Sequence, residues 1–271
     1  MKKIGPDEQR KLLFDLLTEV DVFCKKNNIR YFLDSGTLLG AIRHKDFIPW
    51  DDDIDICMPR PDYDRFIKIT NSTPISDNIY VLKEKEALFC YIKVCDKRVA
   101  LIEYPQTLRM EINLYIDIFP KDGLPNNERK AKRHGQKVLF YNKVYWFNKY
   151  SVKVWKKSKN KLKKIIAYIC YPFCHDKLWP LNKAIRLARK YRYEDSEYVS
   201  SLLAGGCRGR IRKSCFCKKT MVTFHNRQFP APIGYDEYLR ELYRDINDGD
   251  YMTLPNDCDK IKHECEIYWK E

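Results

Sequence analysis

Residues 53 to 58 read DIDICM, an alternation of acidic and apolar side chains with a period of two. In a strand that spacing sends Asp53 and Asp55 to one face and Ile54 and Ile56 to the other. The isoleucines offer a core face. Two carboxylates on one face repel each other unless a cation lies between them, and hard oxygen ligands of this kind suit Mg²⁺ or Mn²⁺. The competing reading of a bare Asp-x-Asp is an acidic turn left in water. Three neighbours weaken it. The pair is flanked by isoleucines. Gly36 and Thr37 follow the strand-like run IRYFLD and open the helical pattern TLLGAIRH, a place where backbone N–H groups can meet an anion. Asp117 is centred in a further apolar strand pattern, INLYIDIF, and needs a partner on a buried side.

The surrounding patterns predict an α/β (α+β) core. Leu12, Leu13, Leu16, Leu17, Val20 and Phe23 recur at helical spacing within residues 7 to 26. A further helix is predicted from PRPDYDRFIKI, with Pro61 in its first turn. Strand-like runs follow at IYVLKE, LFCYIKVC, VALIEY and INLYIDIF, the last ending at Pro120. Residues 1–125 therefore read as a catalytic core of helices around a mixed sheet. Residues 126–271 read as a mostly helical, basic region packed on that core and contributing to substrate binding, with helices predicted at 128–150, 152–169, 180–192 and 234–244. With 44% apolar and 14% aromatic residues in 271, a sizeable core can form and global disorder is excluded. The longest uncharged apolar run, Ile165 to Cys174, has ten residues, about half of what a membrane span needs. MKKIGPDEQRKLL has no apolar segment of the signal-peptide kind, so the chain is expected in the cytoplasm. A formal net charge of +14 points to anionic partners.

A strand, a Gly-Thr helix start, an alternating Asp strand and a later Asp on another strand resemble the nucleotidyltransferase fold. The longer run GTLLGAIRHKDFIPWDDDIDICMPR resembles the LicD family of phosphocholine and polyol-phosphate transferases, which includes fukutin and fukutin-related protein. The resemblance is nearly continuous over residues 31 to 66. It is supported by YIDIFPKDGLP (115–125) and more loosely by PIGYDEYLRELY and GDYMTLP. It departs from the family where RDIND separates Tyr243 from Gly249 and Asp250, in place of a compact Tyr-Gly-Asp segment. The resemblance implies transfer of an alcohol phosphate from a CDP-alcohol donor to a glycan acceptor in teichoic acid, capsule or another surface polysaccharide. CMP would leave. Asp53, Asp55 and Asp117 would be the metal ligands and catalytic residues, with Asp117 either completing the metal site or accepting the proton of the attacking hydroxyl. Asp51 and Asp52 read equally as extra ligands or bystanders. A nucleotidyltransferase that uses an NTP and releases pyrophosphate is the rival enzyme, and a non-catalytic basic protein that binds lipid or nucleic acid is the rival outside enzymes.

Arg43, His44, Lys45 and Arg60 bracket the acidic run. They read as a phosphate clamp or as charge balance for five nearby aspartates. Trp50 reads as packing rather than as a stacking platform. A choline cargo would call for an aromatic cage, for which 19 Tyr and five Trp supply material. Residues 149–173 interleave eight lysines with Val152, Trp155, Leu162, Ile165, Ile166 and Ile169. This suits an interfacial helix on anionic lipid at the inner face of the membrane, or equally a solvated basic helix packed by the same stripe. Nucleic acid ranks last, since no recognised RNA or DNA module accompanies the lysines. The 11 cysteines are expected as thiols, because neither Cys207, Cys215 and Cys217 with His225 nor Cys170 and Cys174 with His175 has a paired zinc spacing.

Overall fold

The computed structural model describes residues 2–83, 90–103, 109–151, 155–156, 160–174, 178–205, 209–245, 250–253 and 265–270. Helix α1 (Pro6–Lys26) opens with Pro6, Asp7 and Glu8 and closes with Lys25 and Lys26, so both ends complement the helix dipole. Its stripe of Leu12, Leu13, Leu16, Leu17, Val20 and Phe23 is buried. Strand β1 (Phe32–Leu33), α2 (Ser35–Arg43), β2 (Asp55–Pro59) and α3 (Arg60–Thr70) follow. Strands β3 (Ile79–Leu82), β4 (Ile92–Glu103) and β5 (Met110–Leu124) complete the first half.

The second half begins with α4 (Glu128–Trp146), capped by the Asn127 side chain and running into a π-helical turn, Phe147–Ser151. Then come α5 (Lys161–Cys174), α6 (Trp179–Ala188), β6 (Tyr198–Ser200), the single turn α7 (Leu202–Gly205) and β7 (Ile211–Arg212). A 3₁₀ turn (Lys213–Phe216), the hairpin β8 (Lys219–Phe224) and β9 (Arg227–Pro232), α8 (Tyr235–Leu242) and β10 (Cys265–Trp269) end the chain.

The main sheet is mixed, as the sequence predicts, in the order β1-β2-β5-β4-β10, with β3 also on β4 and with β6 and β7 extending from β5. Among the described residues only β2 and β5 pair in parallel; the other ladders of this sheet are antiparallel. Two predicted strands, within LFCYIKVC and VALIEY, form one long β4 with an irregularity between Asp96 and Ala100. Strand β5 also runs past Pro120. That proline falls between the segment paired with β4, which ends at Ile118, and the segment paired with β6, which starts at Asp122. Its missing N–H therefore removes no rung on that side. The predicted helix 128–150 turns π-helical after Trp146, and 152–154 and 157–159 of the next predicted helix lie outside the described residues. The second half supplies strands as well as helices. Val199, Phe216, Phe224, Phe229, Tyr238 and Ile267 pack into the same core as α1 and the sheet. Leu124 and Cys90 join a second cluster built on α4 and α6.

Candidate functional site

The parallel pairing of β2 with β5 sets Asp55 directly opposite Asp117, and the antiparallel pairing of β5 with β4 sets Asp117 opposite Lys93. Three adjacent strands thus carry a row of Asp55, Asp117 and Lys93 on one face. Lys93 is buried and its Nζ donates to Asp117 Oδ1 at 2.5 Å. The same ammonium lies 3.3 Å from the Tyr115 ring centroid and 5.5 Å from that of Tyr91. Burial first, then the charges of Asp53, Asp117, Asp34 and Asp51, hold the Asp55 carboxyl well above the usual carboxylate range. Burial also raises Asp117, with Lys93 opposing. Burial and mutual repulsion thus both disfavour the ionised form of these carboxylates.

Asp53 lies two residues before β2 rather than inside it. The strand starts at Asp55 because the Asp55 N–H donates to the Thr37 hydroxyl at 2.8 Å, while the Ile54 carbonyl accepts from the Asp117 N–H at 3.0 Å. Thr37 is therefore a bracket between α2 and β2. Gly36 sits in the first turn of α2, and a Cβ there would stand 2.6 Å from Asp51 Oδ2. Only glycine lets that carboxylate approach the positive end of the helix. The acidic loop is tied to α1: Gln9 Nε2 donates to the Asp52 carbonyl (2.8 Å), and Arg10 Nη2 donates to the carbonyls of Pro49 (2.5 Å) and Asp51 (3.2 Å).

Asp34 caps α2 by accepting from the Ser35 N–H at 2.9 Å. Its carboxylate also accepts from buried Lys121 Nζ at 2.9 Å and from the Tyr238 hydroxyl of α8. These contacts hold Ser35 at φ +46°, a left-handed conformation that non-glycine residues rarely adopt. Tyr243, at the end of α8, lies near the same carboxylates. Burial and the charges of Asp55, Asp34 and Asp51 raise its phenol, and Arg43 opposes them.

The four basic residues bracketing the acidic run are not gathered in one place. Arg43 Nη1 donates to the Tyr251 carbonyl at 3.1 Å and Nε to His44 Nε2 at 2.9 Å, with its guanidinium 6.0 Å from the Trp50 ring. Burial and Arg43 lower the His44 pKa, in keeping with a neutral ring that accepts this bond. Lys45 is exposed and donates to the Ile42 carbonyl. Arg60 is buried and forks onto Asp122 at 2.6 and 3.0 Å, an ion pair that joins α3 to β5. Trp50 packs against the core. Asp34, Lys93, Lys121 and Tyr243 enter the site without having been singled out in the sequence. Lys93 leaves a signal there, a lone lysine inside the apolar strand run LFCYIKVC, the same reasoning that marks Asp117; Lys121, between Pro120 and Asp122, leaves none.

Asp55 and Asp117, with Asp53 beside them, are hard oxygen donors that could hold a divalent cation. Among the described residues no three His, Cys, Asp or Glu side chains form a ready coordination shell. The donor set fits Mg²⁺ or Mn²⁺ of the kind bound through one or two carboxylates and completed by substrate phosphate and water. His225 is committed to Asp46 at 3.1 Å and to the Phe14 ring. Cys207 lies outside the described residues.

Residues 28–183 match the family described as LicD/FKTN/FKRP, nucleotidyltransferase domain. The lipopolysaccharide cholinephosphotransferase LicD of Haemophilus influenzae is 29% identical over 277 residues, covering 98% of each chain. An uncharacterized Rickettsia typhi protein is 28% identical over 220 residues, 73% of this chain and 70% of its own. Human ribitol 5-phosphate transferase FKRP is 28% identical over 112 residues, 41% of this chain and 21% of that protein. The family match spans more than half of the chain and contains Asp53, Asp55, Lys93 and Asp117, so the chain belongs to the LicD family.

Proposed function

We propose that the protein is a phosphotransferase that moves an alcohol phosphate, phosphocholine foremost, from a CDP-alcohol to a hydroxyl of a cell-surface glycan precursor on the cytoplasmic side. The observation that carries this reading is the match over 98% of both chains to a relative named as a lipopolysaccharide cholinephosphotransferase. A second relative is named as a ribitol 5-phosphate transferase, so the alcohol is the less constrained part of the reading.

In the transfer, the acceptor oxygen forms a bond to the phosphorus that carries the alcohol. The bond from that phosphorus to the bridging diphosphate oxygen breaks, CMP takes the electron pair, and the hydroxyl proton passes to a carboxylate of the acidic cluster. Such a reaction needs positioning and charge neutralisation more than covalent chemistry. A bound Mg²⁺ or Mn²⁺ would supply that neutralisation. Asp53 and Asp55 would hold it and Asp117 would complete the set with substrate phosphate and water, while Lys93 orients Asp117 through its hydrogen bond to Oδ1. The backbone of Gly36 and Thr37 at the α2 N-terminus offers donors to the diphosphate. Arg43 acts by holding the segment around Tyr251 beside α2.

A thermal-shift panel tests the donor without any knowledge of the acceptor, since a ligand that binds only the folded state raises Tm with its occupancy. The panel holds CDP-choline, CDP-ribitol, CDP-glycerol, CDP-ethanolamine, CMP and the four NTPs, each with and without Mg²⁺ or Mn²⁺. The reading predicts a metal-dependent shift with one CDP-alcohol that Asp55→Asn abolishes. Shifts with NTPs alone would instead favour nucleotidyl transfer with release of pyrophosphate.

A further inference from the structure

Between Glu128 and Asp176 the sequence holds fourteen Lys and Arg and no Asp or Glu, which matches the formal net charge of the entire chain. The overlapping region from Phe140 to Trp179 is unusual in apolar exposure. Among the described residues, eight of the twelve exposed large hydrophobic side chains lie between Phe140 and Trp179. Helix α5 carries the densest group: Leu162 is 66% exposed, Ile165 55%, Ile166 37% and Ile169 64%. At about 100° per residue these four positions, spaced i, i+3, i+4 and i+7, fall on one stripe about 100° wide. Lys161 and Lys163 border the stripe on its two sides, and Lys164 faces away. Helix α5 touches the π-helical turn Phe147–Ser151 and, through Tyr168 and Lys163, the Lys156 ammonium and the Trp155 ring, while the exposure of its four aliphatic side chains shows that this stripe is not spent on the core.

We propose that the Leu162–Ile165–Ile166–Ile169 face of α5 lies on the surface of an anionic lipid bilayer. An apolar stripe flanked by lysines lets the aliphatic groups enter the acyl boundary while the ammonium groups reach lipid phosphates. Lysine is depleted in protein–protein interfaces, whose buried centres avoid charge, so the lysine border favours lipid over a protein partner. Among the described residues no helix is long and apolar enough to cross a membrane, so the contact is with the surface. A second basic and aromatic patch lies between α4 and α6. There Tyr141 packs edge-on to half-exposed Trp179 at 6.1 Å, and Arg133, Lys137 and Lys183 line the cleft.

The test is co-sedimentation of the full chain with vesicles of phosphatidylcholine alone or with about 30 mol% phosphatidylglycerol. Wild type should pellet with the anionic vesicles, remain in solution with neutral ones, and be released as NaCl rises from about 0.05 to 0.5 M. The Leu162→Gln/Ile166→Gln/Ile169→Gln variant should lose at least about tenfold in partitioning. Lys161→Gln/Lys163→Gln should lose about fivefold per lysine on anionic vesicles. All of these side chains are exposed, so an unchanged Tm shows that each variant is folded. Wild type staying in the supernatant, or the triple variant binding as wild type does, would overturn the proposal. So would a wild-type dimer by light scattering that the triple variant converts to monomer without any vesicle binding, which would assign the face to a second copy of the chain. Vesicle binding requires no nucleotide donor, so this inference stands or falls separately from the phosphotransferase reading.

Discussion

At the scale of single residues, the acidic row carries a cost in stability. The folded state holds Asp55 and Asp117 above the ordinary carboxylate pKa, so between 3.8 and their raised values it binds more protons than the unfolded chain. Stability of the metal-free protein should therefore fall as pH rises through that window. A Tm profile against pH should slope downward there, and the gain from added Mg²⁺ or Mn²⁺ should grow with pH. A flat profile would mean that the carboxylates do not interact as described. For the same reason Asp55→Asn should keep or raise the metal-free Tm. Its kcat/KM should nevertheless fall by at least about 100-fold, because changes behind a metal ligand alone cost about 10–100-fold. Lys93→Met should behave oppositely in stability. It strands the Asp117 carboxylate and should cost about 3–5 kcal/mol in chemical denaturation.

At the scale of elements, α1 and α8 are the supports of the site. Arg10 and Gln9 fasten the 49–53 loop through its carbonyls, so their effect is on where the aspartates stand. Arg10→Ala should lower stability by about 1–2 kcal/mol and should also raise the concentration of divalent ion needed for half-maximal activity several-fold. A loss of stability with an unchanged metal requirement would place the loop outside the site. Tyr238→Phe should cost about 1–3 kcal/mol by leaving one bond to buried Asp34 unmade.

Much of this was legible in the sequence where an element is local. The stripe of α1, the start of α2 around Gly36, the strand from Asp55 to Met58 and the strand around Asp117 can each be read from neighbours a few residues apart; that Asp53 stands before the strand cannot. The contacts that were not legible join distant parts of the chain. Asp34 meets Tyr238 across 204 positions, and Arg43 meets the Tyr251 carbonyl across 208. Arg60 looked like a clamp because it lies close to the aspartates in sequence. Its fork is instead used by Asp122, 62 residues on, which no local pattern announces.

At the scale of the whole molecule, the chain closes on itself around the sheet. The Ile4 N–H donates to the Ile267 carbonyl and the Trp269 N–H to the Lys2 carbonyl, so β10 fastens the segment before α1 to the edge of β4. Strand β5 is paired along most of its length, whereas every α5 side chain from Lys161 to Ile166 is exposed. Hydrogen exchange should accordingly find β5 among the slowest amides and α5 faster than α4, with α5 slowed when anionic vesicles are added. The lysine-rich stretch 128–176 and the acidic row on β2 and β5 thus belong to separate elements of the chain. Product analysis with CDP-choline, Mg²⁺ and a lipopolysaccharide or teichoic acid acceptor, for wild type and Asp55→Asn, is the direct test of phosphocholine transfer. CMP release should be matched by phosphocholine on the acceptor, dependent on the metal and lost in the variant. CMP release that persists in Asp55→Asn, or pyrophosphate release from an NTP with no turnover of any CDP-alcohol, would contradict it.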